Sequence, residues 1–505
     1  MVNSKGYTVL LGAVAGGHVD TARALIKKGV DVNIPVRDDL TTAVSLAARD
    51  GSVELIRMLA DAGADINFPD IKKRTPLFMA AHYGHADTIR LLHSLGADVN
   101  VVDSDGQVPV HLAAIYNWEA ALCTLHELGA DIFRGNAHGT TAFHMAAYAG
   151  HVSIMQQLLK WGVDLHAGDD DGFNALHLSV QRGHVKVVRF LIAEGLSVNS
   201  RCKTGRTPLF VAAGHNQEEC VKLLYEHGGD PTLCDQYDNN ACFAAAEQNL
   251  PDMLRLLQKL GVPVDAQNYT GATPLVHACH MDYADLVVYL ESLGADINVS
   301  DINGNTPAWV VASRGHVNTM KVLHRLGANL EQPNRTGVRP IHISVRVGHV
   351  PMVHLLHSYK CSLEVTTLSG RTPLHIAAEE NNVQLIKVIA GFGVNLNCVD
   401  DKGFTPLHLA AEQNHVDALR ALHKLGADLN CKTINSYTPP MMASLMHHDE
   451  SVAFFVSVGA ELGEVSEGTK YPEGWRDEAS QESEDGKAND DFMLDCKTPA
   501  TIVVE

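Results

Sequence analysis

Histidine is the residue type here that most suggests chemistry. The chain carries 28 in 505 residues, and imidazole is both a common zinc ligand and a proton carrier near neutral pH. The spacing argues against either use. His111, His144, His177, His342, His375 and His408 fall on one register of 33 residues, and two further registers exist. One holds His18, His85, His151, His184, His316, His349 and His415; the other holds His93, His126, His324, His357 and His423. Zinc needs its ligands about 2 Å from a single ion, whereas equivalent atoms in stacked helical layers lie roughly 10 Å apart. His354 with His357, and His447 with His448, are the close pairs worth checking. The ten cysteines show no CxxC and are scattered as in a reducing compartment. Cys398 and Cys431 occupy equivalent positions, so the same spacing rules out an easy disulfide. Phosphate-loop, HExxH and GxSxG patterns are missing. The expectation is a chain without metal, cofactor or catalytic activity.

The periodicity itself is the stronger signal. "TPLHLAAEQNH" at 405–415 is nearly repeated as "TPLHIAAEENN" at 372–382. Aligning on Thr405 gives markers at Thr8, Thr42, Thr75, Val108, Thr141, Asn174, Thr207, Asn240, Thr273, Thr306, Arg339, Thr372, Thr405 and Thr438, with a first step of 34 and later steps of 33. Fourteen repeats, numbered here from the N-terminal side, fill residues 5–462.

Each position has a physical reason. Ten threonines and two asparagines at the marker are good helix N-caps, and the proline that follows in nine repeats suits the first helical turn. Small pairs such as Ala80–Ala81 and Ala377–Ala378 let helices approach closely. Nine places after the marker stands Gly seven times and Asn five times, with Asp282 and His447 as exceptions. All belong to the types that accept positive φ most readily. A second apolar helix such as "IRLLHSLG" ends at another glycine in every repeat but one, and "ADVN" then leads to a tip such as "SDG".

A 33-residue period with T-P-L-H-x-A resembles the ankyrin repeat. The resemblance implies an all-α solenoid with short β-hairpin fingers, an ankyrin-repeat superhelical stack, because no single repeat can bury its apolar face alone. It also implies that fingers and first helices line a concave groove and that second helices form the convex back. In that family the T-P-L-H imidazole bonds the capping Thr and nearby backbone. An asparagine ending the DxN segment can be β-hydroxylated there, which marks Asn33, Asn67, Asn100, Asn298 and Asn430; a plain structural turn role is the other reading.

Repeat 11 departs most, with Arg339 at the cap, Ser344–Val345 for the alanines and Lys360 for the second glycine; a local irregularity or hinge is expected there, a tolerated variant being the other reading. Residues 463–505 hold twelve acidic and four basic residues, a composition expected to stay disordered, the alternatives being that the more apolar "FMLDCKTPATIVVE" docks on the last repeat or is a peptide ligand for another domain. The net charge of −20 argues against nucleic-acid or anionic-membrane partners. No run approaches a membrane span, and the N-terminus lacks a signal peptide's apolar core. An intracellular, cytoplasmic protein is the expectation.

The positions an ankyrin scaffold leaves free are the finger tip and the end of the first helix. In repeats 3 to 6 these, with one neighbour, are Arg74, Tyr83, Tyr116, Trp118, Tyr148 and Phe173; aromatic and arginine side chains dominate interface hot spots. Repeats 10 and 11 supply Arg314, Arg335 and Arg346, and repeats 12 and 13 turn acidic with Glu379, Glu380 and Glu412. The leading reading is a non-catalytic protein-interaction scaffold or adaptor binding a partner protein along the groove. The alternative is a regulatory inhibitor that masks a basic partner surface through the acidic patch and tail.

Overall fold

The computed structural model describes residues 7–462; the expected acidic tail lies outside the described residues. These form 28 helices, two per repeat, as in Pro76–His82 followed by Ala86–Ser94. First helices run seven or eight residues and second helices nine or ten, too short to be stable alone. Packing therefore supplies the stability. The described residues divide into two compact bodies, one reaching Ala245 and including Leu260–Val262, the other comprising Ala246–Lys259 and the chain from Pro263 onward. Within each body, first helices pack on first helices of the adjacent repeats and second on second.

The small pairs lie where these layers meet. Ala80, Ala81, Ala113, Ala114, Ala377 and Ala378 have no solvent exposure, and Leu55, Ile56, Leu59, Leu92 and Leu122 from second helices complete the core. Thr75 Oγ1 accepts from the amide of Phe78, and Thr306 Oγ1 from that of Trp309, as N-caps should. Every turn residue nine places after the marker has positive φ, from Gly17 at 67° to Asn414 at 58°, including Asp282 at 59° and His447 at 56°. Asparagine, aspartate and histidine thus do replace glycine in the left-handed turn.

The β-hairpin detail of the expected fold is not confirmed, and repeat 11 keeps the regular helices of its neighbours. The fingers carry no strand ladder: among the described residues β-bridges are isolated, as between Gly168 and Asn174. Each tip is closed by a backbone bond, as from the Asp70 amide to the Arg74 carbonyl or from Asp103 to Gln107, and further bonds hold it. Asp70 Oδ1 accepts from the amides of Lys72 and Arg74, while Ile71 donates its amide to the carbonyl of Asp39 in the preceding finger. The same bond between fingers recurs from Ser104 to Lys72, Arg335 to Asn303 and Leu368 to Thr336. Repeat 11, expected to be irregular, has helices Pro340–Arg346 and Val350–Ser358 of ordinary length. Arg339 cannot accept as a capping threonine does; its side chain donates to the carbonyls of Glu331 and Thr366, its amide donates to His342 Nδ1, and Lys360 adopts the glycine conformation at φ 67°.

Candidate functional site

The end of each first helix carries the residues that packing does not claim. In the N-terminal body, the rings of Tyr83 and Tyr116 each lie 4.8 Å from His82, Tyr83 being 42% exposed and Tyr116 half-buried. Burial lowers the His82 pKa, and Arg74 lowers it further; burial raises that of Tyr116. Arg74 stands at the adjoining finger with Nε 2.7 Å from Asp70 Oδ2. Two repeats are thus joined in one patch of two phenols, an imidazole and a guanidinium.

The other candidates of this stretch are placed differently. Tyr148 is buried, with the Arg182 guanidinium 5.1 Å above its ring, and Phe173 is buried against His177. Trp118 is 40% exposed, but its indole N–H donates to the carbonyl of His82 at 2.9 Å. His85, His151, His184, His316, His349 and His448 occupy the same register and direct Nε2 to the equivalent carbonyl of the preceding repeat. Trp118 is therefore first a joint between repeats. The recurrence of histidine in that register was the sequence signal for this role.

In the C-terminal body the acidic candidates are engaged. Arg371 donates through Nη1 to both oxygens of Glu379, at 2.8 and 3.0 Å, with Nε 4.0 Å from Asp400 Oδ2. Glu380 is exposed at the end of its helix, and the Glu412 carbonyl receives His448. A different arrangement lies further toward the N-terminus, where Arg314 Nη2 contacts His280 Nε2 at 2.7 Å and the His277 ring sits 6.4 Å from that of His280.

The remaining histidine registers have structural work. His144 Nδ1 accepts from the Thr141 amide and Nε2 donates to the Ala167 carbonyl, and His111, His177, His342, His375 and His408 repeat this. The third register stacks on the next repeat, as His126 on Trp161 at 4.0 Å and His324 on Tyr359 at 3.7 Å. Among the described residues no three His, Cys, Asp or Glu side chains are grouped to hold a metal ion, and the nine cysteines are free. No helix among them is long and apolar enough to cross a membrane.

The marked asparagines link repeats as well. Asn33 donates Nδ2 to the Gly63 carbonyl and accepts from the Asp65 amide, and Asn100 does the same with Gly129 and Asp131. Asn67 donates to Gly96 and Asn298 accepts from Asn329, whereas the Asn430 amide donates to Asp428 Oδ1 within its own turn. Asn33, Asn67 and Asn430 are nonetheless exposed.

The family model for ankyrin repeats, in sets of three copies, matches successive overlapping stretches from residues 1–70 to 374–466. A 74-residue stretch is 34% identical to the Drosophila melanogaster "Ankyrin repeat and KH domain-containing protein mask". A 72-residue stretch is 38% identical to the Homo sapiens "Ankyrin repeat and KH domain-containing protein 1" and, equally, to the Homo sapiens "Ankyrin repeat domain-containing protein 17". Each alignment covers 14% of this chain and only 2–3% of the relative's length.

Proposed function

This chain belongs to the ankyrin-repeat family, whose repeats are protein–protein interaction modules, and from that premise we propose that it is a non-catalytic scaffold or adaptor holding a partner protein along the first-helix face. The supporting observation is the Tyr83–His82–Tyr116 cluster, three rings from two successive repeats presented together beside Arg74. Tyrosine gives large amphipathic contact area at low entropic cost, which suits it to the centre of an interface. Trp118 contributes at the rim of this patch. The partner is a protein, not nucleic acid or a membrane, in keeping with the chain's net charge of −20.

The test is affinity capture from source-cell lysate with wild type and a Tyr83→Ala, Tyr116→Ala variant whose melting curve is unchanged. Loss of one captured protein with the variant supports this reading. Equal capture removes the aromatic cluster as the binding element.

The inhibitor alternative asks Glu379, Glu380 and Glu412 to meet a basic partner. It is weakened by Arg371, which already holds Glu379. Salt separates the two readings, since screening weakens a charge-driven complex far more than one built on aromatic burial. Hydroxylation of Asn33, Asn67, Asn100, Asn298 or Asn430 stands beside these as a proposal, checked by an added mass of one oxygen atom per modified site.

A further inference from the structure

Repeat 14 closes the described stack at Leu462, and among the described residues no repeat follows it. Its outward side can be compared position by position with the thirteen repeats before it. Three places after the marker, an inner residue reaches the next repeat, as His408 does by donating Nε2 to the Tyr437 carbonyl. Eighteen places after it, His357 stacks on Phe392 of the next repeat at 3.9 Å. Repeat 14 has Met441 and Val456 at these two positions.

Burial marks the rest of this side. At the third position no earlier residue is more than 7% exposed. At the sixth and fourteenth, as in Ala411 and Leu419, none exceeds 1%. In repeat 14, Met441, Ser444 and Val452 are only half-buried, and Val456 is 57% exposed. The last repeat of a solenoid needs a polar outer face to stay soluble. Here three of the four side chains on that face are apolar.

The chain runs on from this point in register. Nine residues take repeat 13 from Leu429 to the next marker, Thr438, and nine lead from Leu462 to Tyr471. Tyr471 thus stands one 33-residue step after Thr438, and Pro472 follows it as proline follows the marker in nine repeats. Four places after Tyr471, where repeats 13 and 14 bury Leu409 and Met442, stands Trp475. Arg476 and Asp477 then replace the small pair, so the segment is a fragment of a repeat and not a whole one.

We propose that residues 463–475 lie across the open side of repeat 14 and seat Tyr471 and Trp475 against Met441, Val452 and Val456, capping the stack. Two aromatic side chains bring about 150–250 Å² each to such a contact. The end of one repeat is too small for a separate protein, since stable interfaces use roughly 20–30 residues a side. A segment tethered this closely needs no such area, because it acts at an effective concentration of about millimolar. The cap lies at the opposite end of the array from the Tyr83–Tyr116 patch and is independent of it.

The experiment measures amide hydrogen exchange in the full chain and in Tyr471→Ser, Trp475→Ser. Fluorine NMR of fluorotryptophan-labelled protein adds a second readout, the Trp475 resonance being the one that Trp475→Phe removes. In the double variant, exchange across Pro439–Leu445 and Asp449–Ser457 rises about tenfold or more, while repeats 9 to 12 keep their protection. The Trp475 resonance stands away from its position in urea and moves towards it in Val456→Asp. Unchanged exchange in the double variant, or a Trp475 resonance at the urea position in the native chain, overturns the cap. Exchange that rises only when residues 492–505 are deleted overturns it in favour of the apolar end of the tail. Exchange that rises only on dilution, with a dimer in sedimentation, overturns it in favour of a second copy of the chain.

Discussion

Trp118 Nε1 donates to the carbonyl oxygen of His82 at 2.9 Å, across a separation of 36 residues, the bond that histidine makes at the same register elsewhere. A Cβ on Gly84 would collide with the Trp118 indole ring, as one on Gly150 would with His184. The glycine turn and the ring after the next turn are thus one joint, made once per repeat boundary where the residue types allow.

Trp118→His should accordingly preserve the fold, whereas Trp118→Ala should destabilise it by about 1–3 kcal/mol through a lost hydrogen bond and lost packing. Urea unfolding of both variants checks this. Equal loss in the two would mean that the indole's contact area, rather than its N–H, holds the joint.

Lys360 occupies a left-handed turn at φ 67° where every other repeat has glycine. Glycines at the sister positions have nothing within 4 Å of an added Cβ, so the cost of lysine is backbone strain and not a clash. Lys360→Gly should stabilise by about 0.5–1 kcal/mol, the αL penalty less the entropy glycine adds to the unfolded chain. Amide exchange across 350–363 should slow; faster exchange would contradict the assignment.

Burial pushes His111, His177, His342, His375 and His408 from the ordinary 6.5 down to about 4. Above 6.5 these groups are neutral folded or unfolded and stability is full. As pH falls from 6.5 towards 4 only the unfolded chain takes up the protons, at about 1.4 kcal/mol per group per pH unit when fully expressed. Stability should therefore drop steeply through that window and level off below it, with Asp103, Asp169, Asp301 and Asp400, raised by burial, acting in the opposite direction at the acid end. Calorimetric proton uptake on unfolding at pH 5.5 of several protons is expected; uptake near zero would exclude neutral buried imidazoles.

Arg371 serves two carboxylates from different repeats, Glu379 at 2.8 Å and Asp400 at 4.0 Å. Arg371→Ala should cost more than Glu379→Ala, because it leaves Asp400 buried without its neighbouring cation. A double-mutant cycle on Arg371 and Glu379 measures the coupling, and additivity would show the pair to be worth nothing.

The number of repeats, the two helices of each and the residue types at every left-handed turn were legible in the sequence. These depend on local rules: caps, small residues and positive φ leave the same mark at each 33-residue step. Tertiary structure alone decided which exposed-type residues are available. Tyr148 is covered by Arg182, Trp118 is turned into a joint, and Glu379 is held by Arg371, each by a neighbour from another repeat or the opposite end of a helix. It likewise decided that the fingers join one another, since an amide such as Ile71 N finds its acceptor one repeat away. Sequence periodicity specifies what each repeat offers to its neighbour; only stacking settles which offers are taken up and which side chains remain for a partner.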